Sequence, residues 1–248
     1  MSRRGSYIPK KLKYDAIIES IVELRFETTT RPEFLLVRLA EMDAWKGFTE
    51  SRLPAYSLPE PLRDVDPNLR YQPIFELQKD QRSLRIGPRV ISYHLRKPYN
   101  GWAAFGSEVA TVVNALFSKV EAPVIKRLGF RYLNALTQEF HGIRGVSDLD
   151  IAVQIGQQTV SDGININVKM KISDDTNCLV KVATPTFVTG SLSAETTVMA
   201  DIDVFTPEPF ETTDSSIAIK WIDNAHEAEK REFFVLLKHE TIAALEEK

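Results

Sequence analysis

The chain has only one cysteine, Cys178, among its 248 residues. A disulfide within the chain is therefore excluded, and so is a zinc site built from several thiolates. No stretch of about 18 consecutive apolar residues occurs, so the sequence predicts no membrane-spanning helix. The basic segment MSRRGSYIPKKLK is not followed by an apolar stretch, so we expect no secretory signal. These absences together predict a cytoplasmic protein without membrane attachment.

The motifs of common nucleotide-binding and hydrolytic sites are also missing. The sequence contains no GxGxxG or GxxxxGK[ST] loop, no HExxH helix and no GxSxG turn. The histidines are far apart and not at metal-ligand spacing: His94, His141, His226 and His239. We therefore expect no cofactor, no metal and no recognisable catalytic residue.

Acidic residues slightly outnumber basic ones, and the formal net charge is −3. Proteins that coat nucleic acid usually carry a marked basic excess, so this class is disfavoured. Residues 1–13 nevertheless hold five basic residues and no acidic one. We interpret them as a basic flexible tail, and an arm that contacts phosphate or an acidic partner is the alternative.

The clearest pattern lies in residues 97–137. Asn100 is suited to an N-cap, and Pro123 ends the helical region that follows it. The helix is predicted by apolar residues at three-then-four spacing: Trp102, Phe105, Val109, Val112, Val113, Leu116 and Phe117. Residues 125–137 then alternate as a strand, and an earlier strand is predicted over residues 16–27.

Turn residues separate further short alternating segments in both halves, which indicates antiparallel strands. We predict an α+β protein of two β-α-β(3-4)-α units, residues 14–121 and 122–248. This order is that of a helix-grip or TATA-binding-protein-like fold: a curved antiparallel sheet with a long helix packed across each half. The second long helix is predicted to run from Asp214 or Ser215 to about Leu245. Whether the two halves share one sheet stays open.

The polar faces of the two leading strands are the most suggestive chemical feature. Arg127 and Arg131 flank Gly129 on one strand, and Glu23 and Arg25 share a face of the other. Neighbouring strands could join these charges in an ion-pair network. The alternative is an arginine site for a carboxylate or phosphate, because the guanidinium fork binds both in two-point fashion.

Four segments resemble a sporadically distributed bacterial family of unknown function: AIIESIVELRF, SYHLRKPYNGWAAF, RLGFRYLN and DNAHEAEKREFF. The matching positions are Glu19, Tyr99, Trp102, Phe105, Arg127, Gly129, Arg131, Tyr132, Asn134, His226 and Phe233. The resemblance implies carriage on mobile elements, beside defence or toxin–antitoxin genes, and it implies no catalytic residue. The candidate ligand-binding residues, taken from the two polar strand faces and the RLGFRYLN segment, are Glu23, Arg25, Arg127, Arg131, Tyr132 and Asn134.

Three functions follow as hypotheses. The first is a non-enzymatic binding or regulatory protein that acts through a protein partner; a homo-oligomer is also open. The second is nucleic-acid binding, which requires Lys169 and Lys171 to share a surface with the two arginines. The third is a nuclease or hydrolase that uses His226 or the pair Asp201 and Asp203. That aspartate pair could hold a divalent cation, but we interpret it as a solvated strand face.

Overall fold

The computed structural model describes residues 8–9, 12–188 and 192–247. Most of the predicted basic tail, residues 1–7, 10 and 11, lies outside the described residues. Lys13 is described, and its backbone N–H donates to the carbonyl of Leu245 at 2.8 Å.

The described residues form both strands and helices. The strands are β1 Ile17–Glu27, β2 Thr49–Arg52, β3 Phe75–Lys79, β4 Arg82–Gly87, β5 Val90–Arg96, β6 Val124–Thr137, β7 Gln154–Ile155, β8 Gln158–Thr159, β9 Asn165–Ser173, β10 Thr176–Ala183 and β11 Thr196–Phe205. The helices are α1 Pro32–Ala40, α2 Glu60–Val65, α3 Trp102–Lys119, α4 Gln138–His141, α5 Ser215–Val235 and α6 His239–Leu245.

Nine of these strands form one sheet in the order β2-β3-β4-β5-β1-β6-β11-β10-β9, and β7 pairs with β8 separately. The α+β class and the large antiparallel sheet with helices packed across it are confirmed. Across the described residues, none of the helices combines the length and the apolar character that crossing a bilayer requires.

The chain divides into two compact units. We call residues 19–130 and 205–224 unit A, and the described parts of residues 1–18, 131–204 and 225–248 unit B. The division predicted from the sequence, residues 14–121 and 122–248, stays a prediction.

Unit A has its core between the sheet and α3. Val22, Leu24 and Phe26 are fully buried on β1, as their alternation requires, and Phe105 on α3 is equally buried. Each such side chain stabilises the fold by roughly 1.5–3 kcal/mol. The expected cap at Asn100 is wrong. Gly101 occupies the N-cap position with φ 88°, a backbone conformation that glycine adopts without strain, and no side chain caps the helix.

Unit B is built on the β9–β10 hairpin, β11 and the last helices. Its interior side chains are fully or almost fully buried: Leu136, Cys178, Val198, Ala200 and Ile202. The single helix predicted to reach Leu245 is wrong, since α5 ends at Val235 and α6 begins at His239. Between them, Leu237 forms a β-bridge with Leu149, and the carbonyl of Leu236 accepts from the N–H of Asp150 at 2.8 Å. These backbone bonds replace the helical ones.

Candidate functional site

Glu23 in unit A joins two arginines. Its Oε1 accepts from Arg25 Nε at 2.7 Å and from Arg127 Nη1 at 2.8 Å. The guanidinium of Arg25 lies 4.5 Å from the ring centre of Tyr71, and that of Arg127 lies 4.6 Å from that of Phe205. We call these five residues the Glu23 cluster. It is half-buried, and each cation–ring contact contributes on the order of 0.5–1 kcal/mol.

Arg131 in unit B is bound to an internal carboxylate. Its Nε and Nη2 donate to the two oxygens of Asp201, both at 2.6 Å, and Lys181 Nζ lies 3.6 Å from Asp201. The interpretation of Asp201 as part of a solvated face is wrong, because its side chain is 3 % exposed. The guanidinium fork binds Asp201 in the two-point fashion expected for an external carboxylate or phosphate.

Tyr132 and Asn134 lie in the interior of unit B. The Tyr132 hydroxyl is 3.2 Å from His226 Nδ1, and Asn134 Nδ2 donates to the carbonyl of Ala200 at 3.3 Å. Burial lowers the pKa of His226 to about 4, so its imidazole is neutral at physiological pH. Alternation along β6 separates these two side chains from the arginine-bearing face. The structure thus brings Glu23, Arg25 and Arg127 together, and places Tyr132 and Asn134 among buried groups.

A second polar group in unit A involves residues that the sequence did not single out as a site. Ser92 and His94 are two residues apart on β5 and share one face, while the register places Ile21 of β1 opposite His94. His94 Nε2 is 2.9 Å from Ser92 Oγ, and His94 Nδ1 is 2.9 Å from Glu19 Oε1. Ser92 and His94 are both buried. We call Glu19, His94 and Ser92 the β5 relay.

Electrostatic interactions determine which atoms of the β5 relay carry a proton. Burial is the main cause that lowers the pKa of His94, so the imidazole is neutral. Burial alone would raise the pKa of Glu19, but the hydrogen bond to His94 and nearby positive charge outweigh it, and the pKa is lowered. An ionised Glu19 only accepts, so Nδ1 carries the proton and Nε2 accepts from the Ser92 hydroxyl.

Arg85 adds a cation beside the β5 relay. It is directly opposite Ser92 in the β4–β5 pair, and its Nε donates to Glu76 at 2.9 Å. Its charge lowers the pKa of both Glu19 and His94. The group therefore has the carboxylate–imidazole–hydroxyl order of nucleophilic hydrolases, with a cation alongside.

One signal for the β5 relay was present in the sequence. Ser92 and His94 alternate with Tyr93, which places both on one strand face. Glu19 is 75 residues from His94, and only strand pairing brings it near. A search by motif or by metal-ligand spacing therefore could not find it.

Within residues 8–9, 12–188 and 192–247, no comparable group of side chains is arranged for metal binding. There, no three histidine, cysteine or acidic side chains converge in a way that could hold an ion. A comparison with protein-family models finds no match to this chain, and a comparison with curated proteins finds none.

Proposed function

We propose that this chain is a non-enzymatic binding protein that acts through a protein partner at the Glu23 cluster. The observation that supports the proposal is the pair of guanidinium groups, each lying over an aromatic ring and both bonded to one carboxylate oxygen. Arginine and tyrosine are enriched among the residues that carry binding energy at protein interfaces. An aspartate or glutamate of the partner can take the place of Glu23 between Arg25 and Arg127.

The finer fold belongs to the same proposal. In the sheet order β5-β1-β6-β11, each leading strand is flanked by the last sheet strand of its own half. This order supports two β-α-β(3-4)-α repeats of helix-grip or TATA-binding-protein-like type, with β1 and β6 at the centre. The resemblance in the sequence supports a setting among mobile-element defence or toxin–antitoxin genes, where the partner would be encoded nearby.

The test is recovery of the partner by tagged full-length chain from its bacterial host, quantified by mass spectrometry. We expect Arg25→Met and Arg127→Met to lose the partner and Glu23→Gln to recover more of it, because Glu23 competes for the same guanidinium groups. Lys220→Met, an exposed change in the same unit, is the matched control. Recovery of the bare chain alone, or a partner insensitive to both arginine changes, would refute the proposal.

A second candidate, a hydrolase, is favoured by the β5 relay. In such a reaction Ser92 Oγ forms a bond to the carbonyl carbon of an ester as its proton moves to His94 Nε2. The alkoxide then leaves with that proton, and water releases the acyl group by the reverse proton path. Glu19 holds the imidazole and stabilises its charged form throughout.

Labelling with a fluorophosphonate tests this candidate directly. Attack by Ser92 forms an O–P bond, fluoride leaves, and the serine proton passes to His94. We expect peptide mass spectrometry to find the label on Ser92 and to lose it in His94→Gln. Ser83 is the matched control, since it is equally buried and lies directly opposite His94 on β4. No label on Ser92, or a label unaffected by His94→Gln, removes the hydrolase.

A further inference from the structure

A cavity of about 240 Å³ lies in unit A, on the sheet face opposite the β5 relay. Tyr93 lines it, and Tyr93 alternates along β5 with Ser92 and His94, which face the other way. Its remaining walls come from residues 43–48, from the β3–β4 hairpin and from α3. The volume is just below the roughly 300–1,000 Å³ of drug-sized ligand sites, so the cavity suits a smaller molecule.

Three aromatic rings form one wall of this cavity. Trp45 lies at the centre, with ring centres 5.5 Å from Phe48 and 5.8 Å from Tyr93. Trp45 is 4 % exposed, and its indole nitrogen has no hydrogen-bond partner among the described residues. An unpaired buried donor costs on the order of 1–3 kcal/mol.

The acidic group in the wall is already satisfied. Glu108 accepts from Arg82 Nε at 2.8 Å and from the Tyr93 hydroxyl at 2.8 Å. Burial is the main cause that raises the pKa of Tyr93, so its hydroxyl keeps the proton that it donates to Glu108. Glu108 therefore closes the wall and holds Arg82 in place.

The polar groups that remain are mostly donors. Lys46 and Lys79 both line the cavity, and Lys79 Nζ makes one long bond of 3.4 Å, to the carbonyl of Lys46. Lysine and the indole N–H donate and cannot accept. The acceptor at the rim is the exposed carboxylate of Asp43, so the two ammonium groups leave an excess of one positive charge.

We propose that this cavity binds a small organic anion, a carboxylate or phosphate ester with a planar apolar body. The apolar body lies against Trp45 and Phe48, and the anionic oxygens accept from the ammonium groups of Lys46 and Lys79. This site is separate from the Glu23 cluster and the β5 relay, and it does not depend on the partner proposed above.

The test uses full-length chain labelled with ¹⁵N-tryptophan, whose three indole N–H signals are few enough to assign. Trp45→Phe identifies the Trp45 signal. We expect millimolar benzoate or phenyl phosphate to change the chemical shift of that signal. Benzyl alcohol, an uncharged compound of similar size to benzoate, should leave the chemical shift unchanged. Lys79→Met should weaken anion binding by about tenfold or more, the loss expected for one hydrogen bond to a charged group.

Lys79 is exposed, so Lys79→Met keeps the test valid even if Trp45→Phe does not fold. Lys220→Met, an exposed lysine elsewhere in unit A, should bind as the unaltered chain does. An indole signal that neither anion shifts would overturn the proposal. A signal that benzyl alcohol shifts equally, or an affinity unchanged in Lys79→Met, would overturn it as well.

Discussion

Glu229 carries a carboxyl group that lies in the protein interior. It lies on α5 in unit B, it is 1 % exposed, and its Oε1 has no hydrogen-bond partner among the described residues. Burial first, and then the charges of Asp15 and Glu232, raise its pKa well above the ordinary value. We therefore expect Glu229→Gln, which keeps the shape and removes the titration, to stabilise the protein at neutral pH.

The magnitude follows from proton linkage. The unfolded chain releases this proton near a pKa of about 4.3, whereas the folded chain keeps it to higher pH. Above that value the folded state binds more protons, so the free energy of unfolding falls as pH rises, by up to about 1.4 kcal/mol per pH unit. The fall ends once pH passes the raised pKa of Glu229. Near pH 4 both forms are protonated, and Glu229→Gln should have little effect.

Urea unfolding between about pH 4 and pH 8 measures this difference. The advantage of Glu229→Gln over the unaltered chain should grow with pH and then level off. Glu195→Gln, an exposed glutamate of the same unit, is the control and should show no such growth. An advantage that stays constant across this range would show that Glu229 titrates alike in the folded and unfolded states, and the reasoning would fail.

Three further predictions concern the charged groups of unit B. Arg131→Met should cost about 3 kcal/mol in the free energy of unfolding by urea, the lower end of the range for stranding a buried charge, since Lys181 still faces Asp201; a loss below about 1 kcal/mol would contradict it. The pKa of His226 is lowered to about 4 from 6.5, so the free energy of unfolding rises with pH between those values, by up to about 3 kcal/mol. His226→Gln removes this titration, so its free energy of unfolding should change less with pH over that range. A pH dependence equal to that of the unaltered chain would count against the prediction. Titration with DNA or RNA should show no salt-dependent binding, because the Arg131 guanidinium already pairs with Asp201. Binding that is present in the unaltered chain and lost in a Lys169→Ala, Lys171→Ala double variant would contradict this prediction.

Periodicity located the main elements to within a residue or two. The strand predicted over residues 125–137 is Val124–Thr137, and the one predicted over 16–27 is Ile17–Glu27. Such patterns work where one face is buried, because alternation follows directly from the geometry of the strand. They failed after Val235, where apolar spacing continues to Leu245 but Leu236 and Leu237 bond with residues 149 and 150. No local pattern contains that long-range pairing.

The candidate sites differ in the same respect, since some features follow from local alternation and others need pairing between distant segments. The sequence predicted two polar strand faces, one with Glu23 and Arg25 and one with Arg127, since each follows from alternation within its own strand. It left open whether the two strands are neighbours, which the bond between Glu23 and Arg127 requires. The β5 relay and the cavity beside Trp45 both form only when distant segments come together. Glu19 meets β5 in the first, and Trp45 meets β3, β4 and α3 in the second. The same holds for Asp201, which looks solvated in isolation and is covered only because Arg131 and Lys181 arrive from neighbouring strands. Burying a polar group costs free energy unless it is paired, and ionisable groups with shifted pKa values are concentrated at functional sites, so Glu19 and His94 are the first residues to test.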